Sequence, residues 1–349
     1  MLNVLNLYGL HQGDYTVENF GTGLINTTWL ITGKHHSYIL QKINQEVFTN
    51  PQLIDDNLQL IEDHIKKHNL PCTFVRPLPS HMGKTLVYYQ NEFYRLSPFI
   101  PSKTYSIVSD VSIAFEAAKH FAKFAKSLSE LNADELCETI PHFHDLHLRY
   151  TQFLQAIKSG NKERIDQCKE IIDSLQQYTS LVSKYDEIRH SSMFRQRVMH
   201  HDTKISNVLF DENNNGIAII DLDTVMPGYF ISDVGDMLRT YLSPVSEEET
   251  NFDLIEVRDD YFKAIAKGYL SEMKHELTPE EMNAFVYAGK FMIYMQALRF
   301  ITDYLHDDIY YGAKYPLHNF NRAKNQLHLL KCLIEKEEQY NSIVQKLIL

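Results

Sequence analysis

At 349 residues, 44% of them apolar and with no long stretch lacking them, the chain can bury a large core, which excludes extended disorder and suits two lobes with a ligand cleft between them. Lys and Arg number 34 against 45 Asp and Glu, a net charge of −11, which argues against nucleic acid or an anionic membrane as the main partner and favours a small neutral or cationic substrate. Cys72, Cys137, Cys168 and Cys332 are widely spaced without a Cys-x-x-Cys pair, no secretory signal follows Met1 and no apolar run is long enough to span a bilayer, so a reduced, cytoplasmic protein is expected.

From Tyr15 to about Ile100 the pattern is mostly strands with one helix. The run 20–30 reads as a glycine-containing turn between strands, where the small residues Gly21, Thr22 and Gly23 let backbone amides approach phosphate oxygens; ordinary hairpin turns use glycine in the same way. A further strand covers 37–43. Asn50-Pro51 opens a helix through Lys67 with Leu53, Leu58, Leu60, Ile61 and Ile65 on its apolar face, and Asn69-Leu70-Pro71 ends it. Segments 85–89 and 93–96 flank the turn Gln90-Asn91-Glu92, and the proline-bounded segment 97–101 reads as an interlobe connection. From Asp110 onward helical periodicity dominates, with helices expected over 111–131, 144–159, 162–182, 233–242, 247–273, 279–305 and 321–346. The stripe Phe115, Phe121, Phe124 belongs to a core rather than to a ligand box.

The most informative passage interrupts those helices. A strand carrying Val198 and Met199 leads into His200-His201-Asp202-Thr203-Lys204-Ile205-Ser206-Asn207, a tight loop in which Asp202 can face a substrate hydroxyl while Asn207 turns toward a metal. Val208-Leu209-Phe210, the turn 211–216 and Ile217-Ala218-Ile219-Ile220 then form an apolar hairpin that delivers Asp221 beside Asn207. Magnesium takes hard oxygen ligands and keeps several waters, so one carboxylate, one amide oxygen and the phosphates of a nucleotide suffice to hold it. Asp202 or Asp221 alone would fit a turn cap; the order His-x-Asp-x4-Asn, hairpin, Asp points to phosphoryl transfer. Lys204, two residues past Asp202, either approaches the transferred phosphate or is a solvated loop lysine. The histidine-rich run 142–147 follows Pro141 at a helix start, where polar groups are ordinary, and lacks the paired spacing of a zinc site.

These residues together resemble the aminoglycoside phosphotransferase and choline kinase family, with its protein-kinase-like fold. Within it, Gly21-Thr22-Gly23-Leu24-Ile25-Asn26, Tyr38-Ile39-Leu40-Gln41-Lys42-Ile43-Asn44, His201-Asp202-Thr203-Lys204, Ile220-Asp221-Leu222-Asp223-Thr224, Asp233-Val234-Gly235-Asp236 and the distal stretch 297–323 look like N-acetylhexosamine 1-kinases, so the similarity spans nearly the whole chain. The resemblance implies an α+β, bilobal architecture: a small β-rich nucleotide-binding lobe with its connection over 1–100 and a larger, mainly helical lobe with catalytic loop and acceptor site over 101–349. It implies ATP- and magnesium-dependent phosphorylation of the anomeric hydroxyl of an N-acetylated hexosamine. Asp202 would orient or deprotonate that hydroxyl, Asn207 and Asp221 would bind Mg2+, and Pro98 and Ile100 would offer backbone groups to adenine.

The family's nucleotide-side lysine falls at Gln41 or Lys42, which face opposite sides of a strand, and a Gln41–Asn57 pairing would replace the usual lysine–glutamate ion pair. Asp223 either assists the metal or binds sugar, and Thr224, Arg299, Asp303 and Tyr304 are candidate acceptor contacts; Arg299 and Asp303 equally fit an i,i+4 surface pair, and Asp236 and Arg239 a bracing pair. The competing readings are a kinase for choline, an aminoglycoside or another small alcohol, and a catalytically silent nucleotide-binding protein on the same fold.

Overall fold

Apolar alternation in the first hundred residues becomes a five-stranded antiparallel sheet in the computed structural model, which describes residues 2–11, 13–21, 25–70 and 75–349. After a short helix α1 (Leu2–Asn6), strands β1 (Tyr15–Asn19), β2 (Thr27–Gly33), β3 (Ser37–Lys42), β4 (Leu86–Tyr89) and β5 (Glu92–Pro98) assemble in the order β1-β2-β3-β5-β4, with helix α2 (Gln52–His68) between β3 and β4. Register decides which face each side chain takes. Leu40 stands opposite Leu96, Lys42 opposite Tyr94 and Gln41 opposite Arg95. Leu40, Tyr94 and Leu96 therefore share one face, where they are buried with Ile31 and Val87 against Val4 and Leu5 of α1. Gln41 and Arg95 share the other face, toward the helical lobe. The β4–β5 turn has positive φ at Gln90 (50°) and Asn91 (65°), the primed geometry that matches the twist of hairpin strands.

The larger lobe is helical: α3 (Val111–Ser127), α4 (Leu146–Ser159), α5 (Lys162–Gln167), α6 (Lys169–Gln176) and α7 (Ser180–His190) precede a small β region, β6 (Arg197–Met199), β7 (Val208–Phe210), β8 (Gly216–Ile219) and β9 (Met226–Gly228). Then follow α8 (Ile231–Tyr241), α9 (Asp259–Met273), α10 (Pro279–Asn283), α11 (Phe285–Leu305), α12 (His318–Glu335) and α13 (Glu337–Ile348). Helix α11 is apolar nearly all round and runs through the core, as such helices must. At Gly235 of α8 an added Cβ would lie 2.4 Å from the Ala288 carbonyl oxygen, so only glycine allows α8 and α11 to approach this closely. The single core cluster of this lobe also takes in Ile43, Ile54, Leu58 and Ile61, so α2 is anchored to it. Among the described residues no helix is long and apolar enough to cross a membrane, and Cys137, Cys168 and Cys332 are all unpaired.

Several helices differ from the expected spans. The span 162–182 breaks because the Cys168 N–H closes on both Arg164 O (3.0 Å) and Ile165 O (3.1 Å), and the fresh start turns Ile171, Ile172 and Leu175 inward. Residues 247–258 are not helical apart from the single turn Phe252–Leu254, because Glu247 is drawn to Arg239 and Arg322, and Glu248 to His318. The expected helices 279–305 and 321–346 each divide, at Ala284 and Lys336, and α4 starts at Leu146 because Asp145 caps it by accepting from the Leu148 N–H (3.0 Å). In each case tertiary pairing or capping overrides periodicity.

Candidate active site

Buried Val198 and Met199 place β6 against β9 and aim the following loop at the cleft. The loop is fastened from below by Asp233 of α8, whose carboxylate accepts from the His200 N–H (3.0 Å) and the His201 N–H (2.7 Å) and whose carbonyl accepts from Thr203 Oγ1 (2.7 Å). Tyr241 donates to the Thr203 carbonyl (2.5 Å), and Thr224 to that of His200 (2.7 Å). With these bonds in place His201 is held at φ 64°, a sparsely populated conformation for a residue of its type. Burial, moderated by the two amides, pushes the Asp233 carboxyl up to about 7.

Asp202, Lys204, Asn207 and Asp221 converge. Asn207 Nδ2 donates to the Asp202 carbonyl (2.9 Å) and to Asp202 Oδ2 (3.0 Å), and Lys204 Nζ lies 3.0 Å from that same oxygen. The hairpin β7–β8 returns the chain so that the Ile220 N–H donates to the Asn207 carbonyl (3.0 Å), which sets Asp221 beside Asn207. Asp221 sits at φ 61°, a left-handed conformation that aspartate tolerates, and presents its carboxylate to the open cleft. Loss of hydration among the surrounding protein atoms, and then the charges of Asp223 and Asp202, raise its pKa to about 7. Burial disfavours the Lys204 ammonium, but Asp202 and Asp221 outweigh that penalty and raise its pKa.

Asp223 is buried and committed. Its Oδ1 pairs with Arg95 of β5, its Oδ2 accepts from Asn26 Nδ2 (2.6 Å), and its carbonyl accepts from Thr139 Oγ1 (2.7 Å). Arg95 also donates to Gln41 Oε1 (2.9 Å), so a buried network joins the sheet to the segment after β8. Gln41 is thus the β3 residue on the cleft side, whereas Lys42 lies on the opposite face, 3.0 Å from Glu92. Asn57 does not pair with Gln41: it bridges the carbonyls of Cys137 (2.8 Å) and Val225 (3.0 Å) and accepts from the Cys137 N–H. Sequence reasoning missed Arg95, because the register that sets it opposite Gln41 is a long-range pairing that local sequence does not carry.

The remaining expected residues fall into three groups. Gly21 is exposed at φ 74°, while Thr22 and Gly23 lie outside the described residues. Pro98 and Ile100 occupy the connection, whose Phe99 N–H is held by the Ser37 carbonyl (3.0 Å) and whose Lys103 pairs through its backbone with Phe210; the Ile100 N–H donates to no protein acceptor among the described residues. Of the acceptor candidates only Arg299 faces a partly open space. Thr224 is occupied with the His200 carbonyl, and Tyr304 is buried under the Arg164 guanidinium, 4.4 Å from its ring centroid. Asp303 is buried too, accepting from the N–H groups of Tyr310 (2.7 Å) and Tyr311 (2.9 Å), so it brackets the loop after α11 instead of pairing with Arg299. Asp236 does bind Arg239, through Nε (3.2 Å) and Nη2 (3.0 Å), and its second oxygen is buried without a partner among the described residues.

A cavity of about 210 Å3 lies behind the loop rather than at Asp202 and Asp221, lined by His144, His201, Gly228, Ser232 and Phe291 among others. His144 and His201 both contact the Ser232 hydroxyl there, and His147 lies 2.9 Å from Asp186, so the histidine-rich run is divided among separate partners.

A small antiparallel sheet, a helical lobe and a loop of this composition between them define the protein-kinase-like class of phosphotransferases. The family model described as the phosphotransferase enzyme family matches residues 16–272, and the chain belongs to that family. Solved structures agree on the fold. An aminoglycoside phosphotransferase from Alicyclobacillus acidocaldarius is similar at a TM-score of 0.65 and 12% identity, with 99% of this chain and 95% of that one covered. A spectinomycin phosphotransferase solved with ADP and spectinomycin gives 0.63 and 12% over 96% and 97%, and choline kinase from Cryptosporidium parvum 0.56 and 16% over 97% and 94%.

Proposed function

We propose that this phosphotransferase is an ATP- and magnesium-dependent kinase acting on the anomeric hydroxyl of an N-acetylhexosamine, N-acetylglucosamine or N-acetylgalactosamine, to give the sugar 1-phosphate. The observation that carries the kinase reading is the convergence of Asp202, Lys204, Asn207 and Asp221. Four carboxylates, with Asp223 and Asp236, crowd this end of the cleft. Arg95 neutralises Asp223, Arg239 neutralises Asp236 and Lys204 faces Asp202, but Asp221 makes no ion pair among the described residues. Asn207 Oδ1 accepts no hydrogen bond among the described residues, while its Nδ2 is fixed on Asp202. An unneutralised carboxylate beside an unused amide oxygen fits a divalent cation with hard-ligand preference. Asn207 and Asp221 would hold it, and when bound it supplies neutralisation and orientation of the transferred phosphate.

Asp202 would accept the hydrogen bond of the acceptor hydroxyl and take its proton as the new oxygen–phosphorus bond forms and the bond to the leaving nucleotide breaks. Lys204 would steady charge on the transferred group. The connection would seat adenine on the Pro98 carbonyl and the Ile100 N–H. The sugar specificity draws its support from the motif resemblance along nearly the whole chain. A reduced, cytoplasmic setting accords with the unpaired cysteines.

Incubation with ATP, magnesium and either sugar, followed by phosphorus NMR, tests the reading: a phosphate coupled to the anomeric proton is expected, and phosphate only at another position, or no turnover on either sugar, would overturn it.

A further inference from the structure

The glycine turn between β1 and β2 is not buried by its flanking side chains: Phe20 and Ile25 remain 41% and 44% exposed. Strand pairing reaches Asn19 opposite Trp29 and closes where the Phe20 N–H donates to the Thr28 carbonyl (2.9 Å). Two side-chain contacts among the described residues then place the turn over the cleft. Phe20 stands edge-on to Phe99 of the connection, with 5.8 Å between ring centroids, at the end where adenine would sit. At the other end Asn26 reaches the segment that follows Asp221.

Asn26 uses both ends of its amide. Oδ1 accepts from the Asn44 N–H (3.0 Å), just past β3, and Nδ2 donates to Asp223 Oδ2 (2.6 Å), a short bond of the charge-assisted kind. Asp223 is already neutralised by Arg95 through its other oxygen, so its charge does not require this second donor. What the bond adds is a fixed separation between the glycine turn and a residue two positions past Asp221. The segment itself is held from elsewhere, by Thr139 Oγ1 on the Asp223 carbonyl (2.7 Å) and by Asn57 of α2 on the Val225 carbonyl (3.0 Å). The exposed turn therefore takes its position from the buried segment, and not the reverse.

We propose that Asn26 is a positioning residue that fixes the glycine turn relative to Asp221, so that nucleotide and divalent cation bind as a coupled pair. The turn and Asp221 address the same phosphates, one through backbone amides and the other through the cation it would hold, and each contact gains when the other is in register. Because the bond is made before either ligand arrives, the ordering of the turn is not left to the binding step. The inference rests on the kinase reading and adds to it a residue that touches neither ligand.

The test is calorimetric titration of ADP, with and without magnesium, into the wild type, Asn26→Ala, Asn26→Asp and the exchange variant Asn26→Asp with Asp223→Asn, each checked by thermal melting. Magnesium should tighten ADP binding to the wild type. Asn26→Ala should lose about tenfold or more of that enhancement, the scale of a hydrogen bond to a charged group, while its magnesium-free ADP affinity stays within about threefold. Asn26→Asp turns a carboxylate on Asp223, and the exchange variant, which restores an amide–carboxylate pair in the opposite direction, should recover part of the loss; if it does not fold, the Ala result decides alone. An enhancement in Asn26→Ala equal to that of the wild type, or an equal loss of affinity with and without magnesium, would overturn the coupling. Sugar phosphorylation with an unchanged enhancement in Asn26→Ala would leave the kinase and remove the role of Asn26. Coupled binding of ADP and magnesium that Asn26→Ala abolishes, without phosphorylation of either sugar, would uphold that role and overturn the sugar kinase reading.

Discussion

Replacing Asp223 with alanine leaves the Arg95 guanidinium enclosed with only Gln41 Oε1, at 2.9 Å, as a side-chain hydrogen-bond partner among the described residues. Arg95 is 6% exposed and Asp223 2%, so neither charge can recover hydration by a small movement. Removing one member of a buried ion pair costs about 3–5 kcal/mol. For 349 residues, at about 2.1 cal/mol/K per residue, the unfolding entropy is about 0.7 kcal/mol/K, so the melting temperature should drop by about 4–7 °C. Asn26 loses its acceptor as well, which places the result toward the upper end. Differential scanning calorimetry gives the shift, and the double variant Asp223→Leu with Arg95→Met separates charge from shape. An apolar pair of similar volume should recover most of the loss, because no buried charge remains unpaired. A loss below about 1 kcal/mol for Asp223→Ala, or a double variant as unstable as the two single variants summed, would refute the assignment of a buried interlobe pair.

Asp202→Asn keeps the shape of the loop but removes the proton acceptor, so melting should match the wild type while turnover falls at least about 100-fold in an ADP-release assay. At Gly228 an added Cβ would lie 2.4 Å from His201 Cε1, so Gly228→Ala must displace that ring; a destabilisation of about 1–3 kcal/mol is expected by thermal melting, with lower kcat because His201 precedes Asp202. Burial holds His200 and His201 at about 4, against an ordinary 6.5, so between those values the folded state binds fewer protons than the unfolded one and stability falls on acidification. Asp233, raised to about 7, keeps an extra proton in the folded state over the same window and opposes that fall; Asp233→Asn should therefore lose stability more steeply from pH 6.5 to 4.5, by about 1.4 kcal/mol per pH unit, and parallel urea-unfolding curves would contradict it. Tyr304→Phe should leave acceptor KM within about twofold, since its hydroxyl reaches only Gln167, at 3.5 Å, and a large KM change in a steady-state assay would return Tyr304 to the acceptor site.

The loop and hairpin were legible because local order alone creates them. An apolar strand, a polar loop of fixed length and a turn-closed hairpin bring Asp202, Asn207 and Asp221 together with little dependence on the rest of the chain, and the backbone bond from Ile220 to Asn207 completes the approach. Choices that depend on distant partners were not legible. Whether Gln41 or Lys42 faces the cleft follows from the register of β3 with β5, and the cation on the cleft side is Arg95, 54 positions further along. Periodicity over 247–273 is indistinguishable from one long helix until Glu247 and Glu248 find Arg239, Arg322 and His318. Asp303 sits at helical spacing from Arg299, but it closes a loop whose amides come from Tyr310 and Tyr311, and helical spacing carries no information about such loop donors.

The charge arrangement explains why these long-range partners are structurally necessary. Beyond burial, the charges of Asp223 and Asp202 raise the proton affinity of Asp221, and that of Asp202 raises Asp236, so a charged site needs cations placed to offset this crowding. Arg95 and Arg239 satisfy the two deeper carboxylates and so keep them from competing for a cation. Asp221 is left as the exposed member without an ion pair among the described residues, a place where adding positive charge relieves repulsion without displacing an existing partner. If Arg95 were lost, Asp223 would become a second carboxylate without a cation partner next to Asp221. A divalent cation would then gain an alternative seat, and magnesium affinity measured by calorimetry should rise or hold in an Arg95→Met variant while turnover falls, a divergence that a purely structural ion pair would not produce.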